Sequence, residues 1–316
     1  TATTAIGGTG VLAWTGAFFI NGFDAWCVSI GMTVGLVIMG IAVAPYFRKS
    51  GAYTVPTFLA RRFQSRLLRV VAASVLIVPL LLILMAELGV AIAAGGTLVA
   101  SNASVLMGAL FAVVAIVVGA GGMRSLGWAA TAQSITLLIA IVTIAALIGV
   151  MATNFPVSQL SYGPVLRGIG RLEVAQQIPV IQASAAGFGL AGDELQYLMH
   201  RFARPFGSIG PLGFTLATLT IATGIAAAPW LLPRNGTTVG VYEARKSLGW
   251  AVFFVGIIFL TLSALAVFMR DIVMQELVGR TVGDLPAWFR SFVDLGWAAA
   301  RPTENALQMM DFAFRR

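Results

Sequence analysis

The sequence predicts an all-α polytopic membrane protein, and three observations predict it. Of its 316 residues, 59% are hydrophobic and only 10% are charged. Mean hydropathy is +0.92. The apolar residues gather into about seven runs of the roughly 20 residues that a helix needs to cross hydrocarbon at 1.5 Å per residue. A water-facing surface carries roughly a quarter charged residues, so the surface here faces a lipid bilayer instead. The runs are 4–21, 26–47, 70–99, 104–121, 128–152, 210–232 and 248–269. With no water at that depth, each must satisfy its own backbone hydrogen bonds, and each is a helix unless protein or a wet cavity surrounds it.

The remaining composition excludes other classes. The net charge of +8 is distributed between apolar runs rather than along one face, so it marks no nucleic-acid surface. Cys27 has no cysteine to pair with and reads as a small packed residue. His200 is the single histidine, and no cluster of Cys, His or acidic residues has metal-ligand spacing. No serine, histidine and acid are placed for nucleophilic catalysis, so an enzyme is not expected. Gly7-Gly8-Thr9-Gly10 has the look of a nucleotide loop, but no strand precedes it and no P-loop lysine follows. The chain starts at Thr1 without a basic leader or a small-residue cleavage site, which predicts no signal peptide and a start that is not the native one.

Orientation follows from arginine and lysine in the short connectors. Those on one side hold Arg48, Lys49, Arg61, Arg62, Arg66 and Arg69, then Arg124, then Arg234, Arg245 and Lys246. The short connectors opposite, 22–25 and 100–103, hold none. The stretches 48–69, 121–128 and 233–247 are therefore expected to be cytoplasmic in a multi-pass protein of the cell (inner) membrane. The longer segments 154–209 and 270–316 then lie outside. Within the first, Leu195, Leu198, Met199 and Phe202 recur at helical spacing, so 193–204 reads as an interfacial or a plain surface helix. Trp288, Phe289 and Phe292 suggest interfacial packing in the second. The division expected is a transmembrane core, 1–270, and an extracytoplasmic tail, 271–316.

Two runs are irregular. The first is broken by Gly7, Gly8 and Gly10, with hydroxyls at Thr1, Thr3, Thr4 and Thr9. The sixth is interrupted by Gly224 and Pro229, after hydroxyls at Thr215, Thr218, Thr220 and Thr223. They stand five helices apart, the spacing at which five-plus-five inverted repeats place discontinuous helices whose freed backbone lines a midplane site. Each residue alone also fits ordinary close packing of membrane helices. Pro79 removes a backbone donor inside the third run and is expected to kink it.

Two carboxylates stand out. Glu87 lies deep in the third run, where a charge costs a few kcal/mol unless it is protonated, paired or facing a cavity. It reads either as part of a substrate or cation path or as a hydrogen-bonded packing residue. Asp24 lies in the tight first connector, where it either lines the path or is simply solvated.

Three strings carry a family resemblance. Tyr46-Phe-Arg-Lys-Ser-Gly-Ala-Tyr-Thr-Val-Pro-Thr-Phe-Leu-Ala-Arg-Arg-Phe63 with Ser65-Arg-Leu-Leu-Arg69 resembles the sodium:solute symporter family. Gly121-Gly-Met-Arg-Ser125, with Trp128 and Gln133, is similar to a signature of the same family. Pro229-Trp-Leu-Leu-Pro-Arg234 and Glu243-Ala-Arg-Lys-Ser247 resemble its cation/acetate and monocarboxylate branch. The resemblance spans about residues 1–270. It implies a partial inverted-repeat transporter fold that moves a small-molecule solute with a sodium ion as coupling ion and needs no other cofactor.

On that resemblance, Thr3 and Thr4 fall where family members contact substrate. Phe23 and Asp24 match an aromatic-acidic pair at the outer end of the path, and Ala228, Pro229 and Trp230 face the same cavity. Glu87 stands where glutamine is commoner, which bears on the cation or protonation state used. The sodium site is implied to draw on residues before Thr1 and after Arg316, so no metal site is expected within the chain, and a fragment or one piece of a split gene, incapable of transport alone, is predicted. The function expected is sodium-coupled symport of a small organic solute such as acetate by alternating access. The alternative is a membrane sensor or regulatory module retaining the transporter scaffold.

Overall fold

A computed structural model describes residues 2–99, 102–176, 202–207, 209–276 and 286–294. All regular structure among them is helical. In chain order the helices are α1 (Ala2–Asn21), α2 (Trp26–Ile38), α3 (Ala44–Lys49), α4 (Val55–Phe63), α5 (Arg66–Val99), α6 (Ala103–Thr153), α7 (Ser158–Gln176), α8 (Gly210–Ala226), α9 (Leu232–Gly236), α10 (Val241–Glu276) and α11 (Ala287–Asp294).

Helix lengths and interruptions recover the seven predicted runs. A straight helix over Thr4–Lys49 would be roughly 70 Å long, more than twice the hydrocarbon thickness. Gly22, at φ 56°, and a tight turn over Gly22–Ala25 divide it into two pieces of span length. The 51 residues of α6 are likewise too many for one crossing, and Gly122, at φ 53° and ψ −144°, divides them. Stretches long and apolar enough to span are Thr4–Lys49, Arg66–Gly96, Ser125–Thr153 and Val241–Glu276, with Ser104–Gly119 and Gly210–Ala226 as shorter apolar helices. Their outward side chains, such as Leu81, Leu82, Met85, Ile116 and Met151, are exposed hydrophobics. In a bilayer these face lipid at no cost. The chain is a multi-pass membrane protein.

Several expectations need correction. α8 ends at Ala226, short of the predicted 232. Gly224 is helical, and Pro229 follows the helix end instead of interrupting it. Proline disfavours helical geometry in the residue before it, and the chain tightens first, with the Ala228 N–H bonding the Ile225 carbonyl at 3.1 Å. Gly8 also remains helical, and the break in α1 lies at Gly7 alone. The segment 154–209, expected to be a loop, contains the 19-residue α7. Most of the anticipated helix 193–204 lies outside the described residues. Its end, 202–204, is turn and coil, and Phe202 is buried, not interfacial.

Two compact units divide the chain. The first comprises Thr1–Leu12, Val28–Ala140 and Leu216–Phe259. The second comprises Ala13–Cys27, Ile141–Thr215 and Leu260–Arg316.

In the first unit, α2 packs on α8 through two glycines one helical turn apart. A Cβ on Gly31 would lie 2.9 Å from the Thr218 carbonyl oxygen, and one on Gly35 would lie 2.6 Å from that of Ala222 and 2.7 Å from the Ile225 Cβ. This is a small-xxx-small seam, where missing side chains let backbones approach. The same unit explains the 46–69 string. Pro45 cannot donate, and a π turn over Met39–Val43 precedes α3, with the Ala44 N–H reaching back to the Met39 carbonyl. Ser50 caps the end of α3 through Phe47 O at 2.7 Å, and Gly51 turns the chain at φ 63°. Thr54 caps α4 through the Thr57 N–H, and Gln64 ends it in the left-handed region at φ 50°. Ser65 then caps α5 at the Leu68 N–H, 3.2 Å.

In the second unit the core gathers Ile169, Phe202 and Val267, with Tyr162, Val165 and Leu166 against them. Gly22 admits the chain at Phe202, whose carbonyl oxygen would lie 2.0 Å from any Cβ placed there.

The seam predicts that Gly35→Leu in the complete protein overpacks α2 against α8 and costs about 1–3 kcal/mol, read as a lower midpoint of thermal unfolding in detergent. Gly249→Ala, with open space around the added methyl, leaves that midpoint unchanged.

Candidate functional site

The break in α1 lies in the first unit. Gly7 adopts φ 69° and ψ 173°, open to glycine and costly for residues with a Cβ. A helix restarting after it has its first N–H groups without intrahelical acceptors. Glu87 of α5 supplies one: its Oε2 accepts from the Thr9 N–H at 3.2 Å. The carboxylate lies so close to the chain that a Cβ on Gly7 would be 2.1 Å from Oε1. Glycine at 7 thus serves twice, giving the backbone its left-handed turn and giving the carboxylate room. Glu87 is half-buried at the N-terminal end of the restarted helix. Thr9 Oγ1 is buried with no hydrogen-bond partner among the described residues, an oxygen left over for a ligand. A carboxylate, a freed amide and a hydroxyl meet at one break.

The second break in this unit is closed differently. Ser125 donates to Val117 O at 2.6 Å and lies 3.1 Å from Gly122 O, bridging the carbonyls on both sides of Gly122. The Gly121-Gly-Met-Arg-Ser125 string is thus a glycine break with its own hydroxyl staple. Nor does the threonine-rich face of α8 supply free hydroxyls. Thr215, Thr220 and Thr223 bond carbonyls four residues back, at 2.8–3.0 Å.

Beyond Pro229 the chain is fastened to the 46–69 string. Arg48 Nε donates to Thr238 O at 2.7 Å and Nη2 to Val239 O at 3.1 Å. Gly236 packs on the Ala52 carbonyl and the Phe47 ring, and Phe47 packs on Phe58 at 5.7 Å. Arg234, half-buried in α9, has its pKa pushed below the ordinary arginine value by desolvation. Two of the strings that carry the resemblance are therefore one assembly.

The predicted site residues divide between the units. Thr4 is half-buried beside the break, and the side chain of Thr3 lies outside the described residues, as does Thr1. Ala228 is fully buried and Trp230 half-buried, in the turn after α8. Glu87 is the one brought onto the α1 break. Phe23 and Asp24 belong to the second unit. Phe23 sits in a three-ring cluster, 5.4 Å from Phe206 and 5.8 Å from Phe214, which are 5.2 Å apart. Asp24 is 3% exposed, so the solvated reading fails: the turn over Gly22–Ala25 folds it inward.

Sequence reasoning missed a second buried charge cluster. Arg270, read as the first residue of the outer segment, is helical within α10 and 3% exposed. Glu173 of α7 is 5% exposed and accepts from the Phe202 N–H at 3.2 Å. The signal was present for α7 in Tyr162, Val165, Leu166 and Ile169, which recur at helical spacing and form its buried face. For Arg270 no local signal existed, because an arginine at the end of an apolar run reads as an interface charge.

The sequence profile of the "Sodium:solute symporter family" matches residues 1–161, about half of the chain. The chain belongs to the sodium:solute symporter family. An uncharacterized symporter of Cupriavidus necator is 24% identical, over 86% of this chain and 52% of its own length. A protein of Corynebacterium glutamicum named "Monocarboxylic acid transporter" is 26% identical, over 79% of this chain and 43% of its own length. The chain therefore spans about half the length of the curated relatives it matches. No solved structure matches it. The family and both relatives are transporters, not enzymes, and the matched residues include the α1 break, Glu87 and the 46–69 and 121–125 strings.

Two outcomes are expected in the complete protein. Gly7→Ala forces a Cβ into the carboxylate and into a positive-φ, extended-ψ conformation that is essentially reserved for glycine and costs about 1–3 kcal/mol. It lowers the thermal midpoint, while Gly8→Ala, with Glu87 Oε2 at an ordinary 3.6 Å, does not. Glu87→Gln keeps an oxygen to accept the Thr9 N–H and leaves folding intact. Because it removes the titratable group at the break, it changes the pH dependence of solute uptake; an unaltered profile assigns Glu87 to packing.

Proposed function

We propose that the chain is part of a secondary active transporter that moves a small organic solute together with a sodium ion by alternating access. The observation that carries this reading is the α1 break at Gly7 with Glu87 on the freed Thr9 N–H. A lipid-embedded helix leaves its backbone pattern only where something polar replaces the lost bonds, and discontinuous helices of this kind hold solute and coupling ion near the bilayer midplane.

The solute class we propose is a small monocarboxylate such as acetate. Support comes from the Pro229 to Arg234 and Glu243 to Ser247 strings, and from the relative named for monocarboxylic acids. Sodium coupling is supported by membership of the family. The seven proposed solute-path residues remain Thr3, Thr4, Phe23, Asp24, Glu87, Ala228 and Trp230. Of these, Glu87 has the strongest support, because a carboxylate beside the break can hold a cation or carry a proton as the cycle proceeds.

The test is uptake of labelled acetate and pyruvate by the complete protein in proteoliposomes. An inward sodium gradient is expected to drive accumulation above equilibrium, and collapsing it with an ionophore to abolish the excess. Accumulation that ignores sodium but follows a proton gradient replaces sodium by the proton as coupling ion. No uptake of any organic solute, with a phenotype in a signalling assay, favours a sensor built on the same scaffold.

A further inference from the structure

Arg270 is 3% exposed on a membrane-spanning helix, where a charged group is expensive and ordinarily serves a purpose. Its guanidinium carbon lies 5.3 Å from the centre of the Phe19 ring and 5.6 Å from that of Phe202, within cation–π range of both. Glu173 lies close enough to interact with it electrostatically. Even so, the Nε and Nη2 hydrogens are buried without a hydrogen-bond partner among the described residues. Those two atoms form one edge of the guanidinium. Their N–H bonds run parallel at the spacing of the two oxygens of a carboxylate, the geometry of a bidentate arginine–carboxylate pair. The apolar core of the same unit is formed by Ile169, Phe202 and Val267, and Phe202 is one of the two rings beside the guanidinium. An unfilled two-pronged donor in an apolar, aromatic surround fits a small anion with a carboxylate head and a short hydrocarbon body.

We propose that Arg270 is the carboxylate-binding group of an organic-acid site, gripping the anion side-on through Nε and Nη2. Phe19 and Phe202 hold the guanidinium in place, and Glu173 is the resident counter-charge that competes for it. The assignment rests on the monocarboxylate reading above and adds where in the chain the acid is held. It also explains the place of Glu173: with no anion bound, a lone buried cation would be costly, and the neighbouring carboxylate offsets part of that cost. Glu173 is anchored independently by the Phe202 N–H, so it can stay in position when an anion takes the free edge.

The experiment measures equilibrium binding of labelled acetate and pyruvate to the complete protein in proteoliposomes, with acetamide as the uncharged isostere. Arg270→Lys keeps the charge but loses the fork and is expected to weaken acetate binding about tenfold, and Arg270→Gln about a hundredfold. Glu173→Gln keeps an acceptor for the Phe202 N–H, removes the competing charge and is expected to tighten acetate binding severalfold. Acetamide should not compete. If Arg270→Gln fails to fold, the lysine and Glu173 variants decide. Acetate affinity unchanged within about twofold in Arg270→Lys and not improved in Glu173→Gln overturns the assignment and makes the pair structural. Wild-type protein that binds neither acetate nor pyruvate overturns the monocarboxylate reading, and this assignment with it. Wild-type binding with unaffected variants overturns the assignment alone.

Discussion

A peptide N–H or carbonyl left bare in hydrocarbon costs several kcal/mol, and this constraint organises the chain. It forces helices along every apolar run and makes each departure from helix a place where other groups must stand in. At Gly7 the substitute is the carboxylate of Glu87, brought from a helix 78 residues further along the chain to the Thr9 N–H. At Gly122 it is the hydroxyl of Ser125, three residues on. At the end of α8 the chain tightens into 3₁₀-type bonds at Ala228 and Leu231. The three solutions differ in what they leave free. The serine staple and the tightened turn use neutral groups of the local chain. The Glu87 solution uses an ionisable group, comes from another helix and adjoins a Thr9 hydroxyl that has no partner among the described residues.

Close packing is the second consequence. Helices in lipid gain nothing from excluding water and associate through contact and small residues. The Gly31 and Gly35 seam brings α2 within backbone contact of α8, joining a helix near the start of the chain to one nearly 200 residues later. Arg48 adds a directional bond of the same long reach by capping the carbonyls of Thr238 and Val239. The 46–69 string, which looks like a recognition motif, is mechanical in this structure: Ser50, Thr54 and Ser65 are caps, Gly51 turns the chain, and Arg48 is a latch. A string of that kind is specific because so many of its positions have a backbone task.

The span pattern was legible because the bilayer imposes a single length scale, and the apolar runs meet it. The break at Gly7 was legible because three glycines in a membrane helix advertise a departure from helical geometry, although the sequence did not say which of them turned. What misled was reading residues one at a time. Gly224 and the threonines of α8 looked like an interruption, yet the helix keeps the glycine and folds the hydroxyls back onto its own carbonyls. α7 was hidden by Pro164, Arg167 and Arg171, which depress its hydropathy, although its apolar stripe was in view. Asp24 looked solvated because connectors usually are. The burial of Arg270 could not be read at all, since its partners come from α1, α7 and the chain at Phe202, and no local pattern announces a contact assembled from three distant segments.

Arg270 and Glu87 pose the same physical problem with opposite signs. Each is an ionisable group in a spanning helix, and each is kept from the full cost of burial by a partial neutraliser: the positive end of a broken helix for Glu87, the faces of two phenylalanine rings and the nearby Glu173 for Arg270. In both cases the compensation is incomplete. Among the described residues, the Thr9 hydroxyl beside Glu87 has no hydrogen-bond partner, and neither do Nε and Nη2 of Arg270. A structure selected only for stability would replace such a pair with apolar residues at no loss. Incomplete compensation persists where a group must exchange partners, because a fully satisfied charge would hold its ligand too well to release it.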